Sequence, residues 1–263
     1  GPLFESFTAE TGIEVEVRYA PSTDLALLIE QEGDKSPADV FLSQSPGAVG
    51  LLAGQGLLAP LRPETLDLVA EEHRSAAGLW VGLSGRVRVL VHNTDRVAEE
   101  DLPTSIFALT DPAYRGRVAV APANGSFQDF VTGLREIHGD EVALQWLTAM
   151  KANDAPTYAN NSAIVQAVGR GEVDMGLVNH YYNIRALAED PSLASQNHFF
   201  EDAGSMVIIT AAGVLGGSDS TDDAEALLRY LLDGGAQDFF FNETFEYPLA
   251  IAAPAVAELT NLG

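Results

Sequence analysis

Apolar and polar positions along this chain switch repeatedly between a helical spacing and a strand-like alternation. Residues 3–11 carry apolar side chains at helical intervals and stop at Gly12, the residue type that most easily takes the left-handed conformation closing a helix. Ile13-Glu14-Val15-Glu16-Val17-Arg18-Tyr19 then alternates with period two and predicts a half-buried strand. Ser22 or Thr23 is placed to cap a helix running to Ile29, and residues 38–42 predict a short buried strand with Gln44 at its C-terminal end. A helix over 48–53 leads through Gly54-Gln55-Gly56 to Leu57-Leu58-Ala59-Pro60. Residues 79–91 have strand character interrupted at Gly85, and they hold Arg86 and Arg88. A strand at 117–120 runs into Pro122-Ala123-Asn124-Gly125-Ser126-Phe127 and a helix to Ile137, and further helices are predicted over 141–151, 161–168 and 224–232. The apolar run 173–178 predicts a buried strand, 183–189 a helix, and 206–215 a long apolar strand ending at Gly216-Gly217-Ser218.

Strands and helices in alternation define an α/β architecture. The chain leaves the character of its first third near residue 90 and regains it near residue 212. This predicts two lobes, residues 1–89 with 213–263 and residues 90–212, joined by two crossing segments with a cleft between them. An α/β lobe ordinarily opens on a strand, whereas this chain opens on a helix, so the expectation is a further segment upstream of Gly1. No internal repeat or low-complexity segment interrupts the pattern.

Composition narrows the chemistry. With 263 residues, 46% of them apolar, the chain is long enough for a sizeable core. It has no cysteine, which excludes disulfides, thiolate metal sites and a cysteine nucleophile, and any metal must take oxygen or imidazole ligands. Thirty-eight acidic against fourteen basic residues give a net charge of −24, which argues against a nucleic-acid partner and favours cations near the surface. No run of 18 apolar residues occurs, and no basic, apolar leader opens the chain; the expectation is an exported protein whose signal has been removed. Nucleotide-binding glycine loops, the Gly-x-Ser-x-Gly elbow and the His-Glu-x-x-His pair are all missing, so an enzyme would have to rest on scattered residues.

The chemistry that stands out is Asn179-His180-Tyr181-Tyr182, at the expected junction of strand 173–178 and helix 183–189. In a first helical turn, adjacent side chains are only about 100° apart, so both phenols can reach one object. A hard cation is one such object, because it takes oxygen ligands and drives proton loss from them. Packing of one ring in the core with the other exposed explains the pair equally from the residues alone. Asn124-Gly125-Ser126 precedes a helix whose free amides suit an anion or, just as well, a plain N-cap. Arg86, flanked by Gly85 in a chain poor in basic residues, suits an anion's oxygens or a surface ion pair. Asn161 and Asn179 can offer side-chain amides to the same anion, and His180 reads as standing outside the ligand set.

In this order, the stretches resemble the periplasmic ferric-iron-binding proteins of bacterial iron ABC importers, within the extracellular solute-binding proteins. The resemblance rests on Ser36-Pro37-Ala38-Asp39-Val40-Phe41 with Gln44, Leu83-Ser84-Gly85-Arg86, residues 160–168, Gly171-Glu172-Val173-Asp174, Asn179-His180-Tyr181-Tyr182 and Glu246-Tyr247-Pro248-Leu249. It implies a type II periplasmic-binding-protein-like fold with a hinge of two crossing strands. It also implies Tyr181 and Tyr182 as phenolate ligands of Fe(III), and a synergistic carbonate or phosphate held at Asn124, Gly125 and Ser126, with Arg86, Gln44, Asn161 and Asn179 assisting. The implied protein is a monomer that catalyses nothing, delivers iron to an inner-membrane ABC permease, and resides in the periplasm or, in a single-membrane cell, on an extracellular lipid anchor. Other small solutes, anions or polyamines, are the alternative within the class, and an enzyme on the same architecture the alternative outside it. Some members of the family carry a glutamate where this chain has Ser43 and a third tyrosine near the loop that here reads Asn124-Gly125-Ser126-Phe127. The family's early histidine or tyrosine ligand falls in a first strand and loop that this sequence does not include.

Overall fold

A computed structural model describes residues 1–253, so the last part of the expected 213–263 segment, 254–263, lies outside the described residues. Its strands are β1 (Val40–Ser43), β2 (Val81–Asn93), β3 (Val118–Ala119), β4 (Met175–Asn179), β5 (Ser195–His198), β6 (Val207–Val214) and β7 (Tyr247–Pro248). The chain divides into two compact units, Gly1–Gly85 with the segment from Ile209, and Arg86–Ile208. The changes of unit fall at 85/86 and 208/209, where patterning places them at 89/90 and 212/213. Both points lie inside the continuous strands β2 and β6 and not in a loop between elements, so patterning that separates elements carries no mark of them.

In the first unit, β1 pairs antiparallel with β6, from Val40 opposite Val214 to Ser43 opposite Ala211, and β7 pairs with Ser84 and Gly85 of β2. One core gathers Phe7, Leu83, Val214 and Leu228, and another gathers Phe41, Leu52 and Ala211. The N-terminal helix, Pro2–Thr11, ends at Gly12 with φ 76°, as its sequence predicts. Residues 13–19 form no strand. Their alternation survives as burial only at Ile13 and Val15, packed on the core, while Val17 and Tyr19 are exposed, and no described strand pairs with them to build a ladder. Neither Ser22 nor Thr23 caps the next helix, Ser22–Glu32: Pro21 holds the N-cap position, and the Ser22 hydroxyl accepts instead from the Gln44 amide at 3.2 Å.

β2 is continuous, and every residue of it is buried. Gly85 does not interrupt it, because pairing with Tyr247 holds that glycine in the ladder. In the second unit β2 pairs antiparallel with β4 and β5, and β3 pairs parallel with β4. The helices Gly125–His138 and Asp140–Ala152 close over a core of Leu90, Phe130, Leu134, Trp146, Met175 and Leu177. Each such fully buried side chain contributes about 1.5–3 kcal/mol relative to an exposed one. Helix Asn161–Gly169 lies against β4 so closely that a Cβ on Gly176 would come within 2.2 Å of Ile164 Cγ2. Glycine at 176 is therefore a packing requirement. Asn160 caps that helix by accepting the Ala163 N–H at 2.9 Å.

Candidate functional site

β4 ends at Asn179 and helix His180–Glu189 begins at once, which puts both tyrosines in its first turn. Their rings stack, with centroids 4.3 Å apart and planes 28° from parallel. Tyr181 is buried and Tyr182 half-buried, so the pair divides between core and surface in burial while sharing one environment. The Arg185 guanidinium sits 4.6 Å above the Tyr181 ring, a cation–π arrangement. His180 does not face a ligand position with Nδ1: that nitrogen accepts the Val87 amide of β2 at 3.2 Å.

The centre of this region is a residue that motif reading passed over. Register places Arg88 directly opposite Asn179 across the β2–β4 ladder. Its guanidinium is 1% exposed and donates to Asn179 Oδ1 at 3.0 Å, to the Leu177 carbonyl at 2.9 Å and to Ser126 Oγ at 3.4 Å. Burial pushes Arg88 down to about 9, against the attraction of the Tyr181 and Tyr182 phenols and of Asp129 for the charged form. It therefore remains a cation at neutral pH.

Because Asn179 Oδ1 is taken by Arg88, Asn179 makes no side-chain cap to the helix it begins. The positive end of that helix dipole is left without a side-chain acceptor. The loop at Asn124 behaves in the opposite way. Asn124 Oδ1 accepts from both the amide and the hydroxyl of Ser126, at 3.1 and 2.6 Å, while Ser126 Oγ accepts from Asn161 Nδ2 at 3.0 Å and from Arg88. A hydroxyl has one donor and two acceptor positions, so that of Ser126 is fully used within the protein. The next two amides, of Phe127 and Gln128, go to the Asn124 carbonyl, leaving that of Gly125.

Asn124, Ser126, Asn161 and Asn179 thus meet through Arg88 in the second unit. Arg86 is buried on the same strand two residues earlier, and Gln44 belongs to the first unit, just past β1. Among the described residues, Arg88 Nε, Asn179 Nδ2 and Asn161 Oδ1 are buried without a hydrogen-bond partner. Two unsatisfied donors beside a buried cation and an uncapped helix start form a setting for an anion. Residues 86 and 88 share a face of β2, and both are buried there, although a charged residue in a strand ordinarily argues for exposure.

Such a two-unit α/β chain, with oxygen donors and buried positive charge at a strand-to-helix junction, defines a protein that binds a small charged solute. The chain belongs to the bacterial extracellular solute-binding proteins, whose sequence profile matches residues 35–261. It is 34% identical to the Fe(3+)-binding periplasmic protein of Serratia marcescens over 98% of this chain and 78% of that protein. It is equally 34% identical to the major ferric iron-binding protein of Neisseria meningitidis serogroup B, over 93% and 76%. Iron-bound HitA from Pseudomonas aeruginosa shares its fold with a TM-score of 0.88 and 36% identity, covering 99% of this chain and 90% of that one. Trichodesmium IdiA (FutA), in complex with iron and citrate, matches at a TM-score of 0.88 and 30% identity, covering 100% and 86%.

Proposed function

We propose that this chain captures Fe(III) outside the cytoplasm, with an exogenous anion, and hands it to an inner-membrane ABC permease. Relatives across most of the chain carry ferric-iron-binding names, and two of its structural neighbours hold iron. The observation that carries the reading onto this chain is the stacked Tyr181–Tyr182 pair beside the buried Arg88 cation. Among the described residues no three His, Asp or Glu side chains stand together as a metal site, so the phenols are the hard donor set on offer. Fe(III) favours anionic oxygen, and two phenolates leave one positive charge for a further anion to offset.

In this proposal Tyr181 and Tyr182 are the iron ligands. The anion, carbonate or phosphate, or citrate as in the Trichodesmium complex, takes hydrogen bonds from Arg88 Nε, Asn179 Nδ2 and the Gly125 amide. Asn124, Ser126 and Asn161 hold Arg88 and the loop in place through the bonds they make to one another. Periplasmic residence follows the name of the Serratia marcescens relative, with an external lipid anchor as its counterpart in a single-membrane cell, and no catalysed reaction enters the scheme. The test is a visible spectrum of apoprotein titrated with ferric citrate. Wild type should develop a phenolate-to-iron charge-transfer band, and Tyr181→Phe and Tyr182→Phe should each weaken binding by more than about 100-fold, beyond what loss of a supporting residue costs. A colourless wild type, or variants that titrate like it, would refute the proposal.

A further inference from the structure

β5 consists of Ser195-Gln196-Asn197-His198, a strand without one apolar side chain. Its alternation nevertheless buries Ser195 and Asn197, each 6% exposed. Both reach the helix that carries the tyrosines. Asn197 Nδ2 donates to the His180 carbonyl at 3.1 Å, and Ser195 Oγ donates to Asn183 Oδ1 at 2.7 Å, with Asn183 itself 1% exposed. His180 and Asn183 are the residues immediately before and after Tyr181-Tyr182. A further bond, from the Val87 amide to His180 Nδ1, ties the same turn to β2. The two phenols are therefore bracketed by residues fastened to neighbouring strands.

Buried polar side chains cost more than apolar ones unless they are bonded, so a strand that needed only to pack would do better with valine or isoleucine at 195 and 197. The bonds that the Ser195 hydroxyl and Asn197 Nδ2 donate contribute directional rigidity that apolar packing lacks, although Asn197 Oδ1 is buried without a partner among the described residues. We infer that Ser195 and Asn197 are positioning residues: they lock the first turn of helix His180–Glu189 so that both phenolic oxygens are held ready for one metal ion. This rests on the iron reading above and adds a supporting strand to it. A site whose donors are preorganised loses affinity when its support is removed, even though no ligand has changed.

The experiment compares the wild-type chain with Ser195→Ala, Asn197→Ala, Asn197→Leu and Ser195→Thr. Each is titrated with ferric citrate, and each apoprotein is followed by hydrogen exchange of the peptide spanning residues 180–189. The alanine and leucine variants should bind iron about 10- to 100-fold more weakly, with an altered charge-transfer maximum and faster exchange in that peptide. Ser195→Thr keeps the hydroxyl and should behave as wild type. Asn197→Leu fills the same space without the donor and keeps the test open should an alanine variant fail to fold. Wild-type affinity in Ser195→Ala and Asn197→Leu, or an equal loss in Ser195→Thr, would overturn the inference. A wild-type protein that forms no charge-transfer band would instead overturn the iron reading itself.

Discussion

Replacing Arg88 by methionine removes a buried cation while keeping most of its volume, and two effects on stability oppose each other. Burial holds the guanidinium well below the ordinary arginine range, at about 9, which at about 1.36 kcal/mol per pKa unit has removed several kcal/mol of its preference for the charged form, and the substitution relieves that cost. It also strips donors from Asn179 Oδ1, the Leu177 carbonyl and Ser126 Oγ, each worth about 1–3 kcal/mol when left unpaired. These cancel to within a few kcal/mol, so the fold should survive. Ligand binding has no such cancellation. Fe(III) with two phenolates carries one positive charge, which a nearby guanidinium repels; adding a doubly charged anion makes the assembly negative, and the same guanidinium attracts it. For unit charges about 6–8 Å apart at an effective permittivity of about 20, that attraction is about 2–3 kcal/mol, or roughly 30- to 100-fold in affinity. Arg88→Met should therefore flatten the dependence of iron affinity on carbonate or phosphate. The assay is competition with citrate at graded anion concentrations. An unchanged anion slope in a folded variant would refute the electrostatic role.

Two further changes test the scaffold around the site. Gly176→Ala places a Cβ at 2.2 Å from Ile164 Cγ2 and 3.4 Å from Ala119 Cβ, and should cost about 1–3 kcal/mol, read as a lower urea midpoint at unchanged slope; an unaltered midpoint would show that helix Asn161–Gly169 yields easily. His92, on β2, is buried with Nδ1 unpartnered among the described residues, and burial first, then neighbouring His198, hold it below its ordinary 6.5, against a backbone bond to Gln196 and the charge of Glu99. The unfolded chain then takes up this proton before the folded one does, so stability should fall as pH drops below about 6.5. His92→Gln should make the melting temperature less sensitive to pH between 7 and 5, and parallel curves for the two proteins would contradict that.

Much of the frame was readable because it follows from periodicity. The helices over residues 3–11, 141–151 and 161–168 and the strand over 206–215 all appear within a few residues of their expected bounds. The strand-to-helix junction at Asn179 was readable for the same reason, since an apolar run stops there and a helical spacing begins. Periodicity failed where structure depends on a partner rather than on the segment itself. Residues 13–19 have the alternation of a strand, but only Ile13 and Val15 are partly buried and Val17 and Tyr19 are exposed, and a strand exists only through its ladder. Gly85 looked like an interruption, and pairing to Tyr247 makes it an ordinary member of β2. Asn124-Gly125-Ser126 offered two readings, and the bonds among these residues show that both Ser126 donors serve the cap.

The two largest omissions, Arg88 and β5, share a cause. Both lie in places where a pattern of hydrophobicity predicts the opposite of what is found. A charged residue in the middle of an apolar strand scores against burial, yet Arg88 is 1% exposed because Asn179, Leu177 and Ser126 converge on it from β4 and the Asn124 loop. Ser195-Gln196-Asn197-His198 carries no apolar position to alternate and so signals a loop, yet it alternates in hydrogen-bonding function, with residues 195 and 197 turned to the tyrosine helix. Folding alone is served better by apolar side chains at such places. Where a chain departs from the pattern that would stabilise it most and holds the departure with specific bonds, while Arg88 Nε and Asn197 Oδ1 stay unpartnered among the described residues, the stability given up marks geometry that binding requires. In this protein the two departures bracket the same pair of phenols: Arg88 sets their charge environment, and Ser195 and Asn197 fix the residues on either side of them.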